Sequence, residues 1–491
     1  MSNAQDDLLK VKLNWLQCHF TWTPQREYID LDDLKQRLED SIDLGMKYQA
    51  RSYNQLAFVN CLQGNCEDAI RNLKEAEKLL RENHEGEFDK RIIVTYGNYA
   101  WVYYHMGQLT EAQSYLDKLE RVCKQFPDAS RYTAMIPEVY GEKGWALLSC
   151  NSQCYEDAME CFKKALLEEP DNTDWIIGYA TVLYRLEGFS GTPENQGPSE
   201  SVKQFRRVLE LDPDDSVAMV QLALKLKFHQ SAEALNLVEQ ALQKSPNLPY
   251  VLRYAAKFYR KAGDVEKAME LLKRGLEITP HSAFLHHQIG VCYRTKFDQL
   301  TKFPDKGPRN AALQRNAQLI KLCKHHFQKA TENRQCTSIH IHLDLADIYS
   351  LNEEHHKVKE IYNHLLTLED IRPENKQAIC LQAGLFELNY MKSESNAINH
   401  FLVGIKVNYD SIEQKQCRKN LEKIAASQLR RNRRESKALG VLGFLHQLDG
   451  ERCEAIQYFE RALEFDPGNE EYLSALCELR LSIEADNDIP N

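Results

Sequence analysis

A row of cations and tyrosines recurs at helical spacing in one short segment. The segment reads YVLRYAAKFYR, and four of its long polar side chains stand three or four residues apart: Tyr250, Arg253, Lys257 and Arg260. A helix would place all four on one face and pack the apolar residues between them on two adjoining faces. Arginine forks suit phosphate oxygens, and aromatic faces stack on bases of any sequence. This face therefore predicts binding of a single-stranded nucleic acid.

Neighbouring segments extend the row if they form equivalent helices. FLHHQIGVCYR contributes His287 and Arg294, and GYATVLYRLEG contributes Arg185. Three further side chains would join the same wall: Lys143, Tyr155 and Lys225. The chain is acidic overall, with a net charge of -10. Two interpretations therefore stay open: the cations bind a phosphate ligand in a groove, or they pair with acidic side chains of neighbouring helices.

A second basic run lies toward the C-terminal end, in KQCRKNLEKIAASQLRRNRR. Its candidate side chains are Lys415, Arg418 and Lys419. The run predicts a secondary basic patch for RNA, and the alternative is a solvated helix face.

Catalytic and metal-binding signatures are missing from the sequence. It contains no glycine-rich phosphate loop and no glycine-flanked serine nucleophile. Adjacent histidines such as His286 and His287 lack the i, i+4 spacing of a helical zinc site. We therefore expect no enzymatic activity, no cofactor and no metal.

The composition is that of a folded protein of the cytoplasm. Hydrophobic residues make up 43% of the 491 residues, yet no stretch stays apolar over the roughly 18 residues that a membrane helix needs. The first residues, MSNAQDDLLKVKLNW, lack the basic and apolar regions of a secretory signal. The 14 cysteines are scattered singly, as is typical of reduced thiols. We therefore expect a cytoplasmic protein with no membrane segment.

Repeated helical hairpins must position these side chains. In LGFLHQLDGERCEAIQYFERALEFDP, small residues stand where two helices would touch, large ones stand between them, and Gly450 marks the turn. The pattern returns with Gly64, Gly107 and Gly263 at the turns. Weaker copies begin near five further residues: Gly178, Leu222, Gly290, Ala346 and Gly384. The sequence predicts about ten hairpins in an all-α tetratricopeptide-repeat superhelix, an α-solenoid whose inner wall is lined by the first helix of each hairpin.

The repeats and their interruptions predict six segments. Residues 1–45 form N-terminal non-repeat helices, 46–245 an N-terminal repeat block, and 246–404 a central repeat block. Residues 405–436 form a basic non-repeat helical segment, 437–483 a C-terminal repeat, and 484–491 a disordered tail. Loops are predicted at 188–200 and 301–312, which are rich in glycine, proline and polar residues.

Several strings resemble the interferon-induced proteins with tetratricopeptide repeats, the IFIT family. They are CHFTW, YGNYAWVYYHMGQLTEAQ, KGWALL, YVLRYAAKFYR, LHHQIGVCYR and ALCELRLSI, and the resemblance runs in one register from about residue 10 to residue 483. It implies a cytosolic antiviral effector of innate immunity that catalyses no reaction. Such an effector binds the 5′ end of single-stranded viral RNA in a basic tunnel, which the N-terminal helices of residues 1–45 would close, and withholds it from translation. The RNA end would carry a triphosphate or an incompletely methylated cap.

The resemblance also implies roles for individual residues. RNA phosphate and backbone contacts are implied for eight of them: Tyr155, Arg185, Tyr250, Arg253, Tyr254, Arg260, His287 and Gln288. Trp145 matches the tryptophan on which cap-binding relatives stack the methylated guanine. Any first helix of a repeat also needs a large residue there, so both interpretations of Trp145 stay open. Arg37 matches an arginine of cap-binding members.

The sequence departs from the family pattern at functional positions. Ser149 stands where relatives carry a phosphate-binding lysine, and Ser41 replaces a glutamine. Arg37 and Lys143 are the candidates to replace the missing cation, so the choice between triphosphate and cap stays open. Relatives that pair through the last repeat use a Tyr-x-x-x-Leu motif, and here the pair is Phe459 with Leu463. We therefore expect homo- or hetero-oligomers with related repeat proteins, although the hydroxyl of the family tyrosine is missing.

The competing hypothesis is a protein-interaction scaffold in antiviral signalling, with weak or no binding of RNA 5′ ends. Tetratricopeptide superhelices commonly bind peptides. The Lys/Asn clamp that binds chaperone tails is not found, because Gly97 and Trp101 occupy the corresponding positions. The predicted partner is thus single-stranded RNA, and protein partners are the alternative.

Overall fold

Helices account for nearly all of the described residues. The computed structural model describes residues 2–22, 29, 31–43, 48–150, 154–189, 199–226, 231–280, 282–302, 309–332, 339–368, 371 and 373–487. Within these residues there is no β-strand, only one isolated bridge between Ser130 and Thr133. The chain divides into two compact units, Met1–Thr337 and Ser338–Asn491.

The first unit contains helices α1 to α17. They are α1 (Ser2–Leu13), α2 (His19–Trp22), α3 (Leu31–Asp43), α4 (Gln49–Leu62), α5 (Cys66–Asn83), α6 (Phe88–His105), α7 (Leu109–Cys123), α8 (Pro137–Cys150), α9 (Tyr155–Glu168), α10 (Thr173–Phe189), α11 (Glu200–Leu211), α12 (Ser216–Leu226), α13 (Ser231–Lys244), α14 (Pro249–Ala262), α15 (Val265–Ile278), α16 (Ala283–Lys302) and α17 (Arg309–Thr331).

The second unit contains helices α18 to α25. They are α18 (Ile339–Leu351), α19 (His355–Leu366), α20 (Pro373–Asn389), α21 (Glu394–Lys406), α22 (Ile412–Arg431), α23 (Ser436–Leu448), α24 (Arg452–Phe465) and α25 (Glu470–Asn487).

Consecutive helices pack as antiparallel hairpins at all ten predicted places. In the first unit the pairs are α4 with α5, α6 with α7, α8 with α9, α10 with α11, α12 with α13, α14 with α15, and α16 with α17. In the second unit they are α18 with α19, α20 with α21, and α23 with α24. First helices also pack against first helices, as α12 does against α14. The predicted number and position of the hairpins are therefore confirmed.

A phenylalanine on the second helix fills the space left by a small residue on the first. A Cβ added to Gly290 would lie 2.4 Å from the ring of Phe327, and one added to Gly384 would lie 2.4 Å from the ring of Phe401. Both rings are fully buried. Helix backbones can approach this closely only without a side chain at the contact, so the small residues of the sequence pattern set the distance between the helices.

The turn after α14 shows how the sequence ends one helix and begins the next. Pro249 stands in the first turn of α14, where its missing N–H costs nothing. Gly263 ends the helix at φ 93°, a left-handed conformation that suits glycine. Asp264 then caps α15, because its side chain accepts a hydrogen bond from the backbone N–H of Lys267 at 3.0 Å. These signals fix where the cationic face of α14 begins and ends.

The N-terminal helices pack on the first repeats. Trp101 of α6 donates its indole N–H to the carbonyl of Leu13 at the end of α1, at 3.1 Å. The backbone N–H of His19 in α2 donates to Asn98 Oδ1 at 3.2 Å. Burial lowers the pKa of His19 to about 3, so this imidazole is neutral. α3 packs on α4. That these helices close a tunnel stays a prediction.

The basic segment of the second unit forms one long helix between two repeats. α22 packs against α20, α21 and α23, so it is wedged between hairpins as predicted for a non-repeat helix. The last helix runs on to Asn487, which is further than the predicted start of the tail at 484, and residues 488–491 lie outside the described part. The predicted block boundaries at 245 and 404 stay predictions, and helix packing continues across the first of them from α12 to α14.

The predicted loops lie partly inside helices. α10 extends to Phe189, and α11 begins at Glu200, so only 190–198 of the first loop falls outside the described residues. α16 extends to Lys302 and α17 begins at Arg309. Residues 303–308 of the second predicted loop lie outside the described residues.

Candidate nucleic-acid interface

The cationic face of α14 has the predicted geometry. Its apolar residues are buried on two sides: Val251, Leu252, Ala255, Ala256, Phe258 and Tyr259. The polar residues of the third side are half-buried, and they include Tyr254, which lies between the four residues of the row. Hydrophobic packing on two sides therefore holds the third side in a fixed orientation.

Two tyrosines of this face stack on each other and link it to the preceding repeat. The rings of Tyr250 and Tyr254 lie 4.4 Å apart at 27°. Gln221 of α12 donates to the Tyr250 hydroxyl at 2.7 Å. Gln221 is itself buried and bonded to Thr181 of α10. Hydrogen bonds through Gln221 therefore link the ring pair on α14 to α12 and α10, the first helices of the two preceding repeats.

Arg185 anchors the same cluster from α10. Its guanidinium donates to the carbonyl of Leu148 at 3.0 Å and to the Tyr155 hydroxyl at 2.9 Å. The guanidinium carbon also lies 5.2 Å from the centre of the Tyr155 ring. Burial would by itself lower the pKa of Arg185, but Tyr254 and Tyr155 raise it above the usual value. Arg185 is thus a fixed, permanently charged donor.

The potential around Tyr254 is strongly positive. Burial alone would raise the pKa of this phenol, but Arg185, Arg253 and Lys257 together bring it below its ordinary value. Burial also lowers the pKa of Lys257, and the three nearby arginines, Arg260, Arg185 and Arg253, lower it further. Like charges held together in this way would be stabilised by an anion.

Part of the row contacts neutral groups rather than carboxylates. Lys257 Nζ donates to the Tyr184 hydroxyl at 3.4 Å, and Arg260 donates to Gln288 Oε1 at 3.5 Å. The guanidinium carbon of Arg253 lies 3.7 Å from the centre of the Phe284 ring. The interpretation of Lys257 and Arg260 as ion-paired surface residues is therefore not favoured.

Ion pairing does account for two other residues of the predicted wall. Arg294 donates to Asp298 Oδ1 at 3.0 Å, one turn along α16. Lys225 pairs with Glu187 of α10. Each cation has a carboxylate partner, so neither adds as much positive potential as its sequence position predicts.

The side chains of His287 and Gln288 lie at the start of α16. Gln288 approaches His287 Nδ1 at 3.3 Å, and the His287 ring lies 5.6 Å from that of Phe327. Through the contact of Gln288 with Arg260, this pair continues the α14 face into the next repeat.

A cavity of about 820 Å³ opens beside this face in the first unit. Four predicted site residues line it: Arg37, Trp145, Arg185 and Tyr250. Both serines that depart from the family pattern, Ser41 and Ser149, line it as well. Such a volume fits a nucleotide-sized ligand.

Part of the cavity lining is acidic, which the sequence did not predict. Asp212, Asp214 and Asp215 line it at the turn between α11 and α12. Asp215 serves that turn by accepting a hydrogen bond from the backbone N–H of Ala218 at 2.8 Å, and Asp214 pairs with Lys244. The cavity lining therefore carries both charges: arginines from α3, α4 and α10, and carboxylates from the turn between α11 and α12.

Arg37 reaches the position of the missing lysine, and Lys143 does not. The Arg37 Nη2 atom lies 3.5 Å from the carbonyl oxygen of Ser149. The Ser149 hydroxyl is turned back onto its own helix, where it donates to the Trp145 carbonyl at 2.8 Å. Lys143 lies near Cys161 on α9. Of the two candidates, Arg37 is the cation at the cavity wall.

Trp145 packs in the core of the repeat and also lines the cavity. Its ring meets Phe162 edge-on at 5.5 Å, and its indole N–H donates to Asp174 Oδ2 at 3.1 Å. The guanidinium of Arg51 lies 4.5 Å from the centre of the ring. Both interpretations of this tryptophan thus have a structural basis.

Sequence reasoning missed Arg51, Asp174 and Glu142. Arg51 pairs with Asp174 at 2.7 Å, across 123 residues of sequence. Glu142 accepts a hydrogen bond from Asn54 at 2.9 Å. Burial raises the pKa of Glu142 to about 7. These residues carry no local motif, so only the fold brings them together.

Two of the three candidate cations of the second basic run are ion-paired. Lys415 pairs with Asp410 at 2.9 Å, and Arg418 pairs with both Glu422 and Asp449. Lys419 is exposed on the same helix. These ion pairs favour the alternative of a solvated helix face in the second unit.

Phe459 is a core residue of the second unit. It is fully buried, and its ring lies 4.9 Å from that of Phe444. A Cβ on Gly443 would come within 2.8 Å of it. Leu463 is half-buried on the same helix. An aromatic at 459 is therefore needed inside the hairpin and is not a side chain that a partner could contact.

The described residues contain neither a group of side chains that could bind a metal ion nor a helix that could span a membrane. Within the described ranges, no three or more His, Cys, Asp or Glu side chains are grouped so as to hold a metal ion. No described helix combines the length and the apolar character needed to cross a membrane.

Stacked helical hairpins are the architecture of a tetratricopeptide-repeat protein, and the cavity in this one is lined in part by arginines and tyrosines. Two tetratricopeptide-repeat family models match the chain, at residues 48–125 and 225–286. Together with the architecture, these matches confirm the predicted fold class.

Known proteins narrow this class to one family. The chain is 40% identical to the antiviral innate immune response effector IFIT1 of Homo sapiens, over 94% of this chain and 97% of that protein. It is 37% identical to the human interferon-induced protein with tetratricopeptide repeats 2, over 94% and 97%. The chain belongs to the family of interferon-induced proteins with tetratricopeptide repeats, as its sequence strings predicted.

Solved structures of a relative agree with the fold. A human IFIT1 dimer with m7Gppp-AAAA matches with a TM-score of 0.81 at 39% identity, over 93% of this chain and 99% of that one. A human IFIT1 dimer with PPP-AAAA matches with a TM-score of 0.77 at 39% identity, over the same shares. These relatives hold RNA 5′ ends of both predicted kinds.

Proposed function

We propose that this protein is an antiviral effector that binds the 5′ end of single-stranded RNA and withholds it from translation. The observation that carries the proposal is the crowding of Arg185, Arg253 and Lys257 around Tyr254. Desolvated like charges destabilise a protein unless a ligand compensates them. A chain of phosphates is the ligand that compensates several such charges at once.

The geometry suggests how the parts divide the work. Arg37 and Arg185 would contact the terminal phosphates at the wall of the cavity. The stacked rings of Tyr250 and Tyr254 and the ring of His287 offer faces on which bases can lie without selection of sequence. Arg253, Lys257 and Arg260 would follow the phosphates of the next nucleotides along α14.

The relatives support the biological role. Their names describe antiviral effectors and interferon-induced proteins, and the solved relative forms dimers with capped or triphosphate RNA. For this chain we propose an action in the cytoplasm by binding alone, with no turnover of the RNA. Association with itself or with related repeat proteins is part of the same proposal, and Phe459 contributes to it only through the core of its hairpin.

Fluorescence anisotropy with one short single-stranded RNA tests the proposal. The RNA is prepared with a 5′-hydroxyl, a 5′-triphosphate, a cap without ribose methylation and a cap with it. We expect the hydroxyl form to bind weakest and all binding to weaken as salt rises. Arg253→Glu should abolish binding while circular dichroism shows an intact fold. Full binding by that folded variant would contradict the proposed interface.

One observation favours the scaffold hypothesis as a second candidate. The cavity lining combines Asp212, Asp214 and Asp215 with arginines, and a peptide with both charges would match such a lining better than a polyanion does. Retention of cellular proteins by the purified chain, with equal and weak binding of all four RNAs, would favour this function.

A further inference from the structure

A planar cation is held between two aromatic rings at the wall of the cavity. The guanidinium carbon of Arg51 lies 4.5 Å from the centre of the Trp145 ring and 5.1 Å from that of Tyr48. Arg51 Nη1 donates to Asp174 Oδ2 at 2.7 Å, and Nη2 donates to Asp174 Oδ1 at 3.3 Å. Trp145 Nε1 donates to the same carboxylate at 3.1 Å. Tyr48, Trp145 and Asp174 are called the Arg51 cage below.

The Arg51 cage has the chemistry of a site for a 7-methylguanine base. That base is planar and cationic, and its N1–H and N2–H donors lie side by side, so they can bond to the two oxygens of a carboxylate. The guanidinium of Arg51 shares all three properties. Aromatic faces favour planar cations over neutral rings, because the electrostatic attraction of the ring adds to stacking. An unmethylated guanine offers the same donors without the charge.

We propose that Arg51 occupies the place of a 7-methylguanine base and so turns this cavity away from methylated caps and toward 5′-triphosphate ends. The inference rests on the proposed function, since it assigns a specificity to the same cavity. In this proposal Arg51 determines specificity, because it competes with the 7-methylguanine base for Asp174 and the two rings.

Displacing Arg51 is unfavourable because of its surroundings. The side chains of Arg51 and Asp174 are only 23% and 10% exposed, so the pair is largely withdrawn from water. Arg51 also lines the large cavity, so a base that enters the cage from that cavity must displace it.

Removal of the competitor is the direct test. Isothermal titration calorimetry with 7-methyl-GTP and GTP, and anisotropy with capped and triphosphate RNA, are run on the native chain and on Arg51→Ala. A desolvated cation–π contact of about 2 kcal/mol corresponds to roughly 30-fold in affinity. We expect Arg51→Ala to bind 7-methyl-GTP at least about tenfold more tightly than the native chain, and to shift the ratio of capped to triphosphate RNA by a similar factor. A shift below threefold in both measurements overturns the proposal.

Three further variants separate the cage from indirect effects. Arg81 lies 4.4 Å over the Phe88 ring on the exterior with its side chain 62% exposed, so Arg81→Ala removes a similar contact and should change no ratio. Arg51→Ala with Asp174→Asn should lose the gain, because the carboxylate that accepts the base donors is gone. If Arg51→Ala fails to fold, Arg51→Gln keeps a neutral donor for Asp174 and should show the gain in the same direction.

The outcomes distinguish this inference from the proposed function. Binding of triphosphate RNA with no gain of cap binding in Arg51→Ala or Arg51→Gln overturns the role of Arg51 and leaves the function standing. A gain for 7-methyl-GTP with no RNA binding by any variant supports the cage and contradicts the function.

Discussion

Replacing Lys257 with methionine should make the unbound protein more stable and its RNA complex weaker. Lys257 has Arg253 four residues before it and Arg260 three residues after it on α14. Each like-charge pair at these spacings destabilises a helix by about 0.2–0.5 kcal/mol, so the two pairs amount to roughly 0.4–1 kcal/mol. Methionine keeps the length of the stem and loses the 3.4 Å contact with the Tyr184 hydroxyl. It also loses the approach of the ammonium to the rings of Tyr184 and Tyr254 at 5.7 and 5.9 Å, distances at the outer limit of a cation–π contact. Urea unfolding should therefore show a stabilisation of about 0.5–1 kcal/mol.

The same substitution should cost RNA affinity in a way that depends on salt. Loss of one charge-assisted contact of about 1.5–3 kcal/mol lowers affinity at least tenfold. The slope of log K against log salt should fall by roughly 0.7, the contribution of one phosphate contact in a single strand. Anisotropy titrations of triphosphate RNA at four salt concentrations measure both quantities.

A matched lysine provides the control. Lys296 of α16 is 22% exposed in its side chain and pairs with Glu266 of α15, so Lys296→Met removes a cation that already has its carboxylate. This variant should be no more stable than the native chain and should bind RNA with an unchanged salt slope. The argument fails if Lys257→Met is less stable than the native protein, or if its salt slope does not change.

Three other variants test separate parts of the structure. Burial raises the pKa of Glu142 to about 7, against the opposing effect of the hydrogen bond from Asn54. The protonated form of Glu142 therefore stabilises the fold below pH 4.5, the pKa of the unfolded chain, and this contribution is lost between pH 4.5 and about 7. Urea unfolding should show Glu142→Gln to be more stable than the native chain by about 1–2 kcal/mol at pH 8, for a partly solvated group, and the two chains to be equally stable at about pH 4.5. Phe459→Ala should destabilise the chain by about 3–5 kcal/mol in the same assay, because it empties a fully buried ring site, and a change below 1 kcal/mol would show that the ring is not a core residue. Arg418→Ala with Lys415→Ala should leave RNA anisotropy within twofold of native, since both cations are paired with acids, and a larger loss would restore the second basic patch.

Local sequence periodicity was enough to predict the hairpins and the α14 face. Small residues such as Gly290 stand at contacts where a Cβ would strike the ring of Phe327, so the pattern reports helix packing directly. The spacing of Arg253 and Lys257 fixes a shared helix face whatever the neighbours are. Their roles in binding RNA stay predictions, because no bound ligand tests them.

Partners that come from distant parts of the chain could not be predicted in this way. Lys225 belongs to the predicted wall by position, but its charge is answered by Glu187 of α10, at a spacing that the repeat pattern does not report. Arg294 is answered by Asp298 four residues later on the same helix, a pair that the sequence itself contains. The carboxylates near Asp214 likewise arise where a turn needs caps and polar residues. The count of cations at inward-facing positions therefore overestimates how basic this wall is.

The Arg51 cage shows why ligand preference is the hardest property to predict here. The family resemblance suggested cap stacking for Trp145 from its sequence position alone. The ligand that an aromatic face prefers also depends on which group already covers that face. Arg51 is 94 residues from Trp145 and 123 from Asp174 in sequence, and no motif connects the three. A family motif can therefore persist while one unmatched cation changes what the site accepts. The ratio of capped to triphosphate RNA bound by Arg51→Ala decides whether the family motif alone or Arg51 sets the ligand preference, because the motif alone predicts no change in that ratio.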